Sequence, residues 1–363
     1  MKEDHRGFQQ WEHGSRRETM SDKTKDEILH DHSNDGIDRR GFLKCMAWAG
    51  TGIVWTIAGS GIPVSRAFGQ TAHHKADKGD LHFLQISDSH IGFNKPANPD
   101  VSATLQAAVD KINGLPNAPE FMIHTGDLTH SSKPEEFDAV GQILKGAHTK
   151  QIFYVPGEHD TNIDDGKQYL ERYGKGTKGT GWYSFNHKGV HFVGLNNVVQ
   201  VEGMGKLGGE QLEWLEGDLK GVSSSTPLVV FAHIPLWAVY PEWGWATQDS
   251  EQAMSYVKRF GSVTFLNGHI HQVLQKVEGN VTFHTAMSTA FPQPAPGTAP
   301  APGPMKVPAE RLRSVLGLTD VHYVAQSHNL AVVDSPLAAG GDAAGTPGSS
   351  KISTPETSRI WVG

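Results

Sequence analysis

From residue 81 onward the chain alternates short apolar runs with polar clusters, and that rhythm sets the fold class. The runs "LHFLQIS" (81–87), "EFMIHT" (120–125), "QIFYVP" (151–156), "PLVVFA" (227–232) and "SVTFLN" (262–267) are rich in Val, Ile and Phe. Apolar runs of this length and composition predict buried strands. Between them, "SATLQAAVDKIN", "PEEFDAVGQILKGA", "GGEQLEWLEGDLK" and "DSEQAMSYVKRF" place apolar residues three and four apart, which predicts amphipathic helices. "GWYSFNHKGVHFVGLNN" and "VLQKVEGNVTFHTAMSTAF" predict hairpins closed by Lys-Gly and Gly-Asn turns. The sum is an α/β protein with sheet strands of mixed direction.

The two ends of the chain break this rhythm. After Phe291 comes "PQPAPGTAPAPGPMKVP" (292–308), too rich in proline for helix or sheet. It is either an extended covering segment or a linker. "VHYVAQSHNLAVVD" (321–334) returns a strand to the sheet, and residues 336–363 have the composition of a disordered tail. At the other end, a polar stretch of mixed charge leads to Arg39-Arg40, then Phe42-Leu43-Lys44, a glycine-rich apolar run and small residues near 67–69. This resembles a twin-arginine export signal. The resemblance implies that residues 1–69 are removed on export by the twin-arginine machinery. The product is then a periplasmic or secreted domain over 70–335. The alternative is a membrane anchor or a buried helix. Gly50, Gly52, Gly59, Gly61 and Pro63 interrupt the run, so no stable membrane anchor is expected.

Charge and cysteine count narrow the chemistry. The formal charge is -7, and residues 1–67 hold ten basic and ten acidic side chains, so the remainder carries the whole excess. That balance argues against a broad nucleic-acid-binding face but leaves a small phosphorylated substrate open. The single cysteine, Cys45, rules out an internal disulfide and a thiolate metal site, whereas twenty histidines make imidazole–carboxylate sites credible.

The polar clusters concentrate those histidines. "DSH", "GDLTH", "GEHD", "HIP" and "GHIH" each follow a predicted buried strand, and strand carboxyl ends are where α/β proteins assemble ligand sites. Imidazole mixed with carboxylate suits Fe, Mn or Zn better than Mg. The candidates exceed what one ion needs, which suits two ions sharing a bridging carboxylate.

Asp88-Ser-His90, Gly126-Asp127, Gly157-Glu158-His159-Asp160, His233 and Gly268-His269-Ile-His271 together resemble the signature of the calcineurin-like metallophosphoesterases, in order and spacing, from 81 to about 290. The resemblance implies a four-layer αββα sandwich of two mixed β-sheets flanked by helices. It implies that Asp88, His90 and His271 hold one metal, that Asp127 bridges, and that Glu158, His233 and His269 hold the second. His159 would stand just outside as general acid or as stabiliser of the phosphoryl group, or else hold Asp88 in place. Gln211, Trp214 and Leu215 also stand at familiar positions. The expected cofactors are two divalent or mixed-valence ions (Fe, Mn or Zn). The expected activity is hydrolysis of a phosphoester bond in a small phosphorylated substrate, with a nucleotide-like diester favoured. The alternatives are a broad phosphomonoesterase and a metal-binding protein with reduced hydrolysis.

Glu158 departs from the family, which usually carries asparagine there. A third carboxylate lowers the positive charge of the site, which favours a singly charged diester over a doubly charged monoester. Alternatively, it changes metal affinity or choice, or leaves the second site weak. Trp237, Tyr240, Trp243 and Trp245 in the loop after His233 offer either an aromatic wall for substrate or packing for the loop itself. His130 reads as a surface residue and His124 as a polar group of the core. "GMGKLG" (203–208) satisfies a dinucleotide-binding spacing, but no ribose-binding acid follows about 20 residues on in a fitting unit.

Overall fold

Side-chain alternation along each strand decides which layer it faces. The computed structural model describes residues 53–57, 63–67, 79–198, 203–325 and 329–338. Strands β1 (Ile53–Ile57) and β2 (Pro63–Ala67) pair as an antiparallel hairpin. A five-stranded sheet holds β3 (Leu81–Ile86), β4 (Phe121–His124), β5 (Ile152–Tyr154), β12 (Gly317–Val324) and β13 (Asn329–Pro336), in the order β13-β12-β3-β4-β5. Its members β3, β4 and β5 are parallel, and β12 lies antiparallel beside β3. A six-stranded sheet holds β6 (Tyr183–His187), β7 (Val190–Gly194), β8 (Leu228–Ala232), β9 (Val263–Asn267), β10 (Gln275–Glu278) and β11 (Val281–Thr285), in the order β10-β11-β9-β8-β7-β6. There the four inner strands are parallel and both edges antiparallel.

Along β3, Leu81 and Phe83 enter the core between the sheets, with Phe121, Phe192, Phe231 and Leu266. Leu84 and Ile86, on the other face, meet helices α1 (Val101–Asn113) and α2 (Pro134–Leu144) through Leu105, Val109, Phe137 and Val140. On the far side Val193, Val230 and Phe265 face α4 (Gly209–Lys220) and α5 (Ser250–Val257). The four layers are therefore helix, sheet, sheet and helix, as expected. Phe83 is fully buried and edge-on to Phe192 at 5.5 Å, so Phe83→Ala would cost about 3–5 kcal/mol by the usual cavity penalty. Local signals agree with the packing: Asp100 caps α1 by accepting from the Ala103 N–H at 2.9 Å, and α2 opens on Pro134.

Two features depart from the sequence reading. Helices α3 (Lys167–Tyr173) and α6 (Ala309–Val315) span seven residues each, too short for their periodicity to stand out. The C-terminal stretch contributes the hairpin β12–β13 rather than one strand. Residues 292–308 form neither helix nor strand, and are tied back by side-chain amides. Gln293 Nε2 donates to the His269 carbonyl at 2.9 Å, and Gln272 Nε2 to the Pro294 carbonyl at 2.7 Å. The expected export segment lies outside the described residues except for β1 and β2, as does the tail from residue 339. Among the described residues no helix is long and apolar enough to cross a membrane.

Candidate metal centre

The site is built on strained loops at the carboxyl ends of β3, β4, β5, β8 and β9. Eight described non-glycine residues have positive φ, and five of them are predicted ligands: Asp88 (55°), His90 (41°), Asp127 (54°), His269 (70°) and His271 (54°). Such a conformation costs on the order of 1 kcal/mol per residue and persists only where surrounding contacts impose it. Here the loops are sewn to one another. Asp88 N–H donates to the Gly126 carbonyl at 3.0 Å, His90 N–H to the Asp127 carbonyl at 2.9 Å, and Gly268 N–H to the His233 carbonyl at 3.0 Å. The approach is close enough to require glycine. A Cβ on Gly157 would stand 2.0 Å from Asp127 Oδ1, and one on Gly268 would stand 2.1 Å from Ser87 Oγ.

All seven predicted ligands come together. Asp88, His90 and His271 form one group and Glu158, His233 and His269 another, each with ligand atoms within 4.8 Å of one another. Asp127 joins them: its Oδ2 is 3.4 Å from His90 Nε2 and 3.4 Å from His233 Nε2, one residue of each group. Glu158 reaches both histidines of its group, with Oε2 2.9 Å from His233 Nε2 and Oε1 3.0 Å from His269 Nδ1.

The arrangement fits cations better than it fits hydrogen bonds. Despite those short distances, Glu158 Oε2, His233 Nε2 and both His269 ring nitrogens are buried without a partner at hydrogen-bonding angles. Lone pairs that converge without bonding one another are a ligand geometry. The tautomers agree. His271 Nδ1 contacts the Phe291 carbonyl at 2.6 Å and His233 Nδ1 the Thr125 carbonyl at 2.7 Å. A carbonyl only accepts, so the proton sits on Nδ1 and Nε2 turns a lone pair to the centre. Electrostatics point the same way. Burial opposes a charge on His233, but Asp127 and Glu158 outweigh it and push that imidazole well above its usual range. Burial likewise opposes ionisation of Asp88, yet His271 and His233 hold its carboxyl down at about 2. The carboxylates thus favour positive charge here, which bound cations would supply.

His159 stands beside this centre. Its backbone N–H donates to Asp127 Oδ1 at 3.0 Å and its Nδ1 to the His130 carbonyl at 2.7 Å, which leaves Nε2 as its working atom. Burial disfavours its charge, but the Asp127 and Glu158 carboxylates prevail and raise it above an ordinary imidazole. No described hydrogen bond joins it to Asp88, so the alternative role of holding that residue has no contact behind it. His130, read as a surface residue, instead stacks on His159 at 4.9 Å and stands edge-on to His90 at 5.5 Å. Burial, then the neighbouring His159, lowers its pKa to about 4. His124 is a core group as expected, fully buried with Nε2 2.8 Å from Ser89 Oγ.

Three supporting residues had no role in the sequence reading. Asp160 is fully buried and accepts from the N–H groups of Gly157, Leu128 and Thr129 and from Thr129 Oγ1, at 2.9–3.1 Å. It staples the β4 loop to the β5 loop. Its place in "GEHD" was the available signal. Ser288 Oγ donates to the Asp88 carbonyl at 2.8 Å, and Phe291 stacks on His90 at 4.8 Å. Nothing local in the sequence marks either. The aromatic loop divides. Trp245 is buried and Trp237 packs on Phe283 at 5.0 Å, so Trp245 offers no face to a ligand. Tyr240 and Trp243, 5.1 Å apart, remain half-exposed.

Known proteins share this plan. Residues 81–273 match the family described as calcineurin-like phosphoesterase. A 3′,5′-cyclic-nucleotide phosphodiesterase of Nostoc sp. is 25% identical over 59% of this chain and 80% of its own. A glycerophosphodiester phosphodiesterase of Enterobacter lignolyticus is 24% identical over 59% of this chain and 77% of its own. The purple acid phosphatase of yellow lupin seeds superposes with a TM-score of 0.53 at 12% identity, over 78% of this chain and 57% of that longer one. With the family matched over more than half its length and the ligand groups assembled, this chain belongs to the calcineurin-like phosphoesterases and is a hydrolase of phosphoester bonds.

Proposed function

We propose that the protein is an exported, dinuclear metal-dependent phosphodiesterase whose substrate is a small, singly charged, nucleotide-like diester. The observation that carries the diester reading is Glu158, a third carboxylate engaging both histidines of its ligand group. Asp88, Asp127 and Glu158 together offset three of the four positive charges of two divalent ions. A site with one surplus positive charge matches a singly charged diester. A doubly charged monoester gains less here than at an amide-containing site, by on the order of 1–2 kcal/mol. Two similar proteins are named for diester substrates, which supports the same reading.

Asp88, His90 and His271 would hold one ion, Glu158, His233 and His269 the other, with Asp127 between them. The mixed nitrogen and oxygen donors suit Fe, Mn or Zn. When bound, such ions neutralise phosphoryl oxygens and acidify a water. The protein's own part is positional. The carbonyls of Thr125 and Phe291 fix the ligand imidazoles of His233 and His271, and the His130 carbonyl fixes that of His159. With Nδ1 committed to His130, a protonated His159 delivers its proton from Nε2 to the departing alkoxide. Tyr240 and Trp243 keep exposed faces on which a base or sugar can stack. Export rests on Arg39-Arg40 with Phe42-Leu43-Lys44, and it would place the enzyme in the periplasm or outside the cell.

Metal content and the diesterase-to-monoesterase ratio of Glu158→Asn test the reading. The ratio should fall roughly tenfold, the counterpart of 1–2 kcal/mol. An unchanged ratio in a fully metallated variant would sink the charge argument.

A further inference from the structure

A second convergence of imidazole and carboxylate groups lies at the opposite end of the first sheet. His82 stands near the start of β3, directly opposite His322 in the antiparallel register with β12. Asp320 is two residues before His322 and therefore on the same face of that strand. The His82 and His322 rings stack at 4.3 Å, inclined by 1°, and His82 Nε2 is 3.2 Å from Asp320 Oδ1. One ligand atom from each of the three lies within 4.8 Å of the others. The His82 and Asp320 side chains are 17% and 15% exposed, whereas His322 is exposed. The cluster is thus shielded on its strand side and reachable from solvent.

We propose that His82, Asp320 and His322 form a separate binding site for one late first-row divalent ion, Cu²⁺, Ni²⁺ or Zn²⁺. Two imidazoles and one carboxylate are the donor set these borderline ions take, with water completing the shell and Cu²⁺ binding most tightly. Among the described residues no hydrogen bond reaches the His322 ring, so only its stack on His82 has to give for a nitrogen to turn towards the other two. The site is distinct from the catalytic centre. β3 runs on to Ile86, so four extended residues, about 13 Å, separate His82 from the strand's carboxyl end, beyond which Asp88 lies. His82 and Asp320 are 238 positions apart in sequence, so an ion held here would clip β12 to β3 and close the C-terminal hairpin onto the sheet.

The test uses holoenzyme with its catalytic metals in place, titrated with Cu²⁺ and, separately, with Zn²⁺. We expect one further equivalent to bind, a Cu²⁺ paramagnetic spectrum showing two coupled nitrogens, and a Tm that rises with added ion. His322→Ala should weaken binding of that equivalent at least tenfold, reduce the spectrum to one coupled nitrogen and abolish the Tm response. His82→Gln should do the same, and phosphoester turnover should stay unchanged in both variants. Two outcomes would overturn the proposal: no further equivalent, or a further equivalent that both variants retain in full. Because turnover and the third ion are read independently, a failure here is separable from any failure at the catalytic centre.

Discussion

The two ends of β3 present the same kinds of side chain in opposite ways. At its carboxyl end, Asp88 and His90 sit on left-handed backbone in loops sewn to two neighbouring turns. There His271 and His233 each lose one nitrogen to a carbonyl and turn the other to the centre. At the amino end, His82 and its partners sit on regular strand, brought together by register alone. The first arrangement stores strain and fixes the His233 and His271 donors before an ion arrives. The second costs the backbone nothing and holds one ring by a stack alone. Preorganisation of that kind suits chemistry, where a misplacement of about 1 Å loses two orders of magnitude in rate. Register suffices for holding an ion.

Substitutions at the strained end should therefore damage turnover out of proportion to their size. The largest effect is expected from His159→Ala, which leaves the backbone N–H to Asp127 in place but removes the proton carried at Nε2. kcat should fall about 10²–10⁴-fold for alkyl esters. It should fall far less for nitrophenyl esters, whose leaving group needs no proton. Equal losses on both substrates would show that His159 acts through structure instead. Gly157→Ala comes next. Its methyl group would stand 2.0 Å from Asp127 Oδ1 and must push that carboxylate aside. Metal affinity, read by competition with a chelator, should drop about 10–100-fold.

The smallest effect sharpens the contrast with an imidazole–carboxylate pair that serves packing only. Asp218, on α4, accepts from Ser184 Oγ at 2.6 Å and pairs with His191 Nε2 at 2.9 Å. Burial raises its carboxyl, but those two hydrogen bonds outweigh burial and hold it below the usual range. A carboxylate with a lowered folded pKa stabilises above its unfolded pKa, and that contribution is lost as pH falls through the folded value. Asp218→Asn should cost about 1 kcal/mol at neutral pH, modest because the carboxylate is still partly open to water. The difference from wild type should shrink in acid. Denaturant unfolding at neutral and acid pH reads it, and an equal gap at both would remove the charge from the account. Turnover should not change.

The contrast also marks what could be read from the chain. The apolar runs 81–87, 120–125, 227–232 and 262–267 became β3, β4, β8 and β9, because a buried strand must be apolar whichever neighbour it takes. Lys188-Gly189 and Gly279-Asn280 closed the two expected hairpins, since the φ values of Lys188 and Gly189 are both positive and that of Gly279 is too. The seven candidate ligand positions, which the structure brings together, could be picked out because each stands beside a strand end with a telling neighbour. His130 was not, because its place depends on a ring stack with a residue 29 positions away. Phe291 and Ser288 were hidden for the same reason, reaching Asp88 and His90 across about 200 positions.

Taken alone, the sequence determined the α/β class, the order of the strands' polar ends and the identity of the residues gathered there. These follow from local periodicity and residue chemistry, which need no partner. Only the tertiary structure decided that Trp245 is core while Tyr240 and Trp243 stay open, and that Asp160 is a staple. It alone brought His82 beside His322. Those are outcomes of which distant surfaces meet, and the pairing of β3 with β12 is set by the whole sandwich closing around its core rather than by either strand's own pattern.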